Sequence, residues 1–183
     1  PEWAIRLADG RSTLTLTPSE RKAAGLEGAF LSPGSVEVRR HLVELVEELA
    51  RFYPLDGIHF DYVRYPSAAC VDPGEALPIL SREPDSLRVR RQADAVTAFV
   101  REASAAARSA RPGILVTAAV FPEPRDARRD VRQDWVRWLR EGWIDRAVPM
   151  AYTESPLRLE DWRRRWELAG ADLSRVSAGL AVY

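Results

Sequence analysis

From residue 35 to the C-terminus, segments of helical periodicity alternate with short apolar runs, and this rhythm belongs to successive βα units. Ser35 can cap a helix in which Val38, Leu42, Leu45, Val46 and Leu49 share one stripe, and Pro54 with Asp56-Gly57 stops it. Gly57 to Tyr62 then reads as a short strand. A loop rich in proline and small residues runs from Arg64 to about Asp85. A long amphipathic helix carrying Val89, Ala93, Val96, Phe99, Val100 and Ala103 follows, ended by Pro112-Gly113. Ile114 to Val120 is the next strand, Asp130 to Arg140 a helix with Trp135 and Trp138, and Ile144 to Met150 a third strand. Trp162, Trp166 and Leu168 mark another helix, and Val176 to Tyr183 reads as a fourth strand. Because the strands are apolar with little alternation, helices are expected to cover the sheet, as in parallel folds. The expected fold class is therefore α/β, either a parallel barrel or a doubly wound sheet. Residues 1–34 read as an irregular connection, with turns at Gly25, Gly28, Pro33 and Gly34.

Composition limits the partners. The 183 residues, 46% hydrophobic and 30% charged, suffice for one soluble globular domain with a substantial core. Twenty-seven basic residues balance 27 acidic ones, so the electrostatic footprint of a nucleic-acid binder is missing. The longest apolar run, Ile114 to Phe121, is interrupted by Thr117 and falls short of the ~18 residues of a membrane span. Cys70 is the single cysteine, so neither an intrachain disulfide nor a thiolate metal site is expected. No basic, apolar and small-residue leader stands at Pro1, so any signal peptide lies outside these residues or has been removed.

The chemistry concentrates in Tyr53-Pro54-Leu55-Asp56-Gly57-Ile58-His59-Phe60-Asp61-Tyr62-Val63-Arg64-Tyr65-Pro66. Alternation along a strand puts His59 and Asp61 on one face and Ile58, Phe60 and Tyr62 on the other. Asp61 thus stands at the C-terminal end of a strand, where parallel α/β barrels build their active sites. It is either a catalytic carboxylate or a structural one, ion-paired with Arg64 or capping a loop. His59 orients Asp61, touches substrate, or is a satisfied interior histidine. Asp56, before a glycine, fixes a turn. His41, amid Arg39, Arg40 and Glu44, is a surface residue, and two histidines so placed do not make a metal site.

The run Asp56 to Pro66, preceded by Leu31-Ser32-Pro33-Gly34 and followed by Trp143-Ile144-Asp145 and Val148-Pro149-Met150-Ala151-Tyr152, resembles the glycosyl hydrolase-like 10 family over about residues 28–183. That resemblance implies a bacterial, exported protein of TIM-barrel type acting in glycan hydrolysis. It maps Gly57–Tyr62 onto barrel strand four, with strands five, six and seven at Ile114, Ile144 and Val176. The chain then reads as a single partial barrel covering about strands 4 to 7. Family 18 chitinases offer a contrast, since their strand ends Asp-Gly-x-Asp-x-Asp-x-Glu. Here His59 replaces the middle aspartate, Asp61 keeps the last one, and Val63 replaces the proton-donating glutamate, so that mechanism is closed to this chain.

Ordinary glycoside hydrolysis needs two carboxyl groups about 5 to 10 Å apart. Asp61 supplies one, and Glu154 and Glu123, each following a strand, are candidates for the other or for substrate contact. Glu154 is preferred, because inward residues of strands two apart share a layer of a barrel and because Pro122 and Pro124 restrict Glu123. Tyr152 is the best candidate for stacking on a sugar ring, with Tyr62, Tyr65 and Tyr183 also near strand ends. Arg64 either holds a hydroxylated or charged substrate or pairs with Asp61. Trp135, Trp138, Trp162 and Trp166 have helical spacing and are assigned to packing. The expected function is cleavage of O-glycosidic bonds in a cell-wall or extracellular polysaccharide, without cofactor or metal. The alternatives are a carbohydrate-binding pseudoenzyme, and a scaffold with an apolar patch over the strand ends.

Overall fold

The computed structural model describes residues 3–67, 69–76 and 84–181. Its elements are β1 (Arg6–Leu7), α1 (Pro18–Ala23), α2 (Val36–Phe52), β2 (Gly57–Phe60), β3 (Cys70–Val71), α3 (Asp85–Ala110), β4 (Leu115–Val120), α4 (Pro124–Asp130), α5 (Trp135–Arg140), β5 (Arg146–Pro149) and α6 (Pro156–Leu168), with a 3-10 turn at Leu173–Arg175. The three strands β2, β4 and β5 form a parallel sheet in that order. Strand neighbours thus follow chain order, with α3 between the first pair and α4 and α5 between the second. Among the described residues, no helix is long and apolar enough to cross a membrane.

One face of this sheet is packed. Phe60, Val116, Ala118, Val120 and Ala147 are buried, and Ile58 packs against the same core. Helix α2 is started by Ser35, whose Oγ accepts the N–H of Val38, and it turns Val38, Val46 and Ala50 inward. Leu45 of the expected stripe remains 45% exposed, outside that buried set. Trp135, Trp138 and Trp166 are buried as packing residues, and the Trp138 indole donates to Thr97 of α3. The opposite face is open: His59, Leu115 and Arg146 are exposed there, and His59, Thr117 and Arg146 lie in register across the three strands. Gly57 is required where β2 meets β4, because a Cβ there would stand 2.9 Å from the carbonyl oxygen of Leu115.

Several expectations are revised. The strand expected over Val176–Tyr183 pairs in parallel with β5 and the residue after it only at two isolated bridges, Ala147 with Val176 and Met150 with Gly179. Ser177 and Gly179 donate to the carbonyls of Ala147 and Pro149, but Pro149 has no N–H to return a bond, so the ladder does not propagate. Val182 and Tyr183 lie outside the described residues. Of the helix expected over Asp130–Arg140 only α5 (Trp135–Arg140) forms; Asp130 ends the separate helix α4, which begins at Pro124, and the two are parted at Arg132, whose φ is 67°. Arg132 donates to the carbonyls of Arg129 and Asp130, so its side chain terminates α4. The buried Gln133 that follows accepts the Phe121 N–H and donates to the Ala119 carbonyl at the end of β4. The N-terminal connection and the loop after Arg64 contain β1 and β3, which pair antiparallel. In addition, α1 opens with a capping box between Thr17 and Glu20.

Around β3, burial pushes the Cys70 thiol up to about 12 and raises the Tyr65 phenol as well, with the nearby Asp72 carboxylate adding to the latter. Both groups are neutral in the folded state and ionise more easily when unfolded. Their contribution is therefore complete below the ordinary thiol value of 9.0 and is lost as pH rises toward about 12. Urea midpoints measured from pH 7 to 11 are expected to fall above pH ~9, less steeply for Cys70→Ala. A midpoint flat across that range would contradict this.

Candidate active site

Strand β2 ends at Phe60, 7% exposed and with its ring 5.6 Å from Phe99 of α3. The chain then turns sharply. Asp61 is exposed at the C-terminal end of the strand, and its Oδ1 accepts the N–H of Tyr62 at 2.8 Å. Tyr62 has φ 53°, a left-handed conformation that costs a non-glycine residue about 1–3 kcal/mol and is kept only when its surroundings impose it. Here they do: the Tyr62 ring faces the Arg64 guanidinium at 4.8 Å. The positive φ also carries Tyr62 away from the face expected for it, so the strand alternation stops at Phe60.

Arg64 is 8% exposed and lies among the rings of Phe30, Tyr62 and Phe121, at 5.6, 4.8 and 5.4 Å. Its carboxylate partner is Glu27, at 2.5 Å, and not Asp61. Glu27 also raises the Tyr62 phenol through a hydrogen bond, with burial adding to the effect. The sequence does not mark Glu27, because it sits in an apparent turn between Gly25 and Gly28, with no local sign that it meets residues 61–64.

These groups border a cavity of about 520 Å3 beside the end of β2, lined by Glu27, Phe30, Leu31, Arg39, His59, Asp61, Tyr62 and Arg64 among others. Its floor is apolar, with Phe60, Val96 and Phe99, while its charged groups lie with Glu27, Asp61 and the arginines. His59 shares the cavity and the open sheet face, and its Nδ1 lies 2.7 Å from the Thr117 hydroxyl of β4. It is neither interior nor bonded to Asp61.

The remaining candidates are dispersed. Tyr65 is fully buried, and its hydroxyl donates to Asp72 Oδ1 at 2.7 Å, so in this structure its place is in the core and not at a sugar subsite. Glu123 caps α4, accepting the Asp126 N–H at 2.8 Å, and it lines a separate surface depression with Asp161 and Arg165. Glu154 is exposed beyond β5 and does not line the Asp61 cavity. Tyr152, 56% exposed, also lies beyond β5. Among the described residues, no group of three or more His, Cys, Asp or Glu side chains is placed to hold a metal ion.

A parallel sheet covered by helices on one face, with polar side chains gathered at a strand's C-terminal end, defines a mixed α/β protein whose candidate site lies where parallel α/β folds build theirs. The family model of glycosyl hydrolase-like 10 matches residues 17–165, and the chain belongs to that family. Among solved structures, the chain is similar in fold to the spore cortex-lytic enzyme SleL of Bacillus megaterium QM B1551, with a TM-score of 0.55 at 16% identity. The similarity covers 87% of this chain and 37% of that one. A search of curated protein sequences found no match.

Proposed function

We propose that the protein hydrolyses O-glycosidic bonds in a bacterial cell-wall or extracellular polysaccharide, with Asp61 as its main catalytic carboxylate. The observation that carries this reading is the exposed Asp61 at the C-terminal end of a parallel strand, inside a cavity that also presents His59, Arg64 and the Tyr62 ring. Strand ends of this kind are where parallel barrels assemble catalysis. Membership of a glycosyl hydrolase-like family supports the reaction class.

In this reading β2, β4, β5 and the segment at Val176–Gly179 are strands 4 to 7 of a (β/α)8 barrel, and the open face with His59 and Thr117 is the barrel interior. Tyr152 and Tyr62, both exposed, offer ring faces for sugars and His59 contacts hydroxyls, while Arg64, buried among three rings, holds Glu27 in place of the substrate contact expected for it. Such a substrate lies outside the cytoplasm, so the protein is exported. The structural neighbour is a spore cortex-lytic enzyme, which makes peptidoglycan the first substrate to try.

The test is incubation of the purified protein with peptidoglycan sacculi and a panel of bacterial polysaccharides, scoring new reducing ends. Release of reducing ends from at least one of them is expected. Sedimentation with a polysaccharide without any release would instead assign the protein to carbohydrate binding.

A further inference from the structure

We infer that Glu27 is the second carboxylate of the Asp61 cavity and acts as the general base opposite Asp61, an assignment that rests on the hydrolase reading above. Among the described residues, the only acids that line the cavity are Glu27 and Asp61. The two are joined through one unit: Asp61 fixes the Tyr62 turn by accepting its N–H, Tyr62 lies against Arg64, and Arg64 holds Glu27. The Arg64 side chain is 7% exposed, packed among three rings, so it is a fixed anchor. The Glu27 side chain it positions is 60% exposed and reaches solvent. Neither Glu123, occupied as a helix cap, nor Glu154, exposed beyond β5, borders this cavity.

The roles follow from the partners. Glu27 is held at the cavity edge by the Arg64 guanidinium and is assigned the base role. Asp61 makes no ion pair among the described residues, and with Oδ1 taking the Tyr62 N–H it is assigned the general-acid role through Oδ2. In cleavage, Asp61 gives a proton to the glycosidic oxygen as the bond from this oxygen to the anomeric carbon breaks. Glu27 takes a proton from the water whose oxygen forms the new bond to that carbon, and the proton returns to Asp61 through solvent. One water is consumed, two hydroxyl-ended sugars result, and the anomeric configuration is inverted.

One variant decides it. On the polysaccharide that yields reducing ends, Glu27→Gln keeps a hydrogen-bonding group toward Arg64, and its melting temperature reports that the fold is intact. Its turnover is expected to drop about 10²–10⁴-fold, with KM changed less than threefold and the acidic limb of the pH–rate profile abolished. Turnover of Glu27→Gln above half that of the unsubstituted protein, a larger loss in Glu154→Gln, or products of retained configuration would each overturn the assignment while leaving the hydrolase reading standing. Absence of cleavage by the unsubstituted protein on the whole panel would remove both.

Discussion

Asp61→Asn is expected to lower the turnover of polysaccharide cleavage by about 10²–10⁴-fold with little change in melting temperature. Asparagine keeps the shape and the Oδ1 acceptor, so the hydrogen bond from the Tyr62 N–H survives and the strained turn at φ 53° remains supported. What disappears is the ability to hold and donate a proton. Asp61 is exposed and makes no ion pair among the described residues, so the folded state loses no charge pairing when it is replaced. The competing explanation makes Asp61 only the cap of the Tyr62 turn. On that view Asp61→Asn would be silent in both assays and Asp61→Ala would cost stability, about 1 kcal/mol, with turnover intact. Chemical denaturation and reducing-end assays on the two variants separate these outcomes.

Gly34→Ala is expected to destabilise the protein by about 3 kcal/mol, measured by urea unfolding. A Cβ at position 34 would lie 2.5 and 2.7 Å from the two carboxylate oxygens of Asp72. Asp72 cannot swing aside, since it is 4% exposed and its Oδ1 accepts hydrogen bonds from the Ser32 and Tyr65 hydroxyls. The clash belongs to this one pair, so a double-mutant cycle identifies it: in an Asp72→Ala background, itself destabilised by the loss of both hydroxyl partners, Gly34→Ala should add little. Equal losses in the two backgrounds would mean that the strain lies in the backbone at Gly34 and not in Asp72. Leu31 and Pro33, beside Ser32, line the Asp61 cavity, so activity is expected to fall together with stability.

This pair of residues also gives a physical account of the sequence pattern. Leu31-Ser32-Pro33-Gly34 and Tyr65-Pro66 look like parts of an active-site motif when read in line. The structure joins them through a buried carboxylate at Asp72 that neither run contains. Their role in this chain is to hold the wall of the cavity, while Asp61 and Arg64, between them in sequence, reach the cavity itself.

Elements whose stabilisation is local are legible in the chain before it folds. The Ser35 cap, the stripe of α2, the long α3 ending before Pro112-Gly113, and the three parallel strands in chain order all follow from periodicity, capping chemistry and breakers within a few residues of one another. The position of Asp61 at the end of β2 was legible for the same reason, because strand alternation is a local rule. Which groups meet is another matter, settled by packing. Glu27 and Arg64 are 37 residues apart, and nothing in either neighbourhood marks them as a pair. Tyr65 was drawn into the core by Asp72, and Glu123 was taken as a helix cap. The break at Arg132 depends on carbonyls at the end of α4 and on Gln133 reaching β4. The last strand reduces to two bridges because Pro149 has no N–H to offer. Buried charges and polar groups take whatever partner the packed chain brings within hydrogen-bond distance, and an unpaired one costs more than a helix or strand preference can restore. That pairing is a property of the folded chain, and sequence spacing does not contain it.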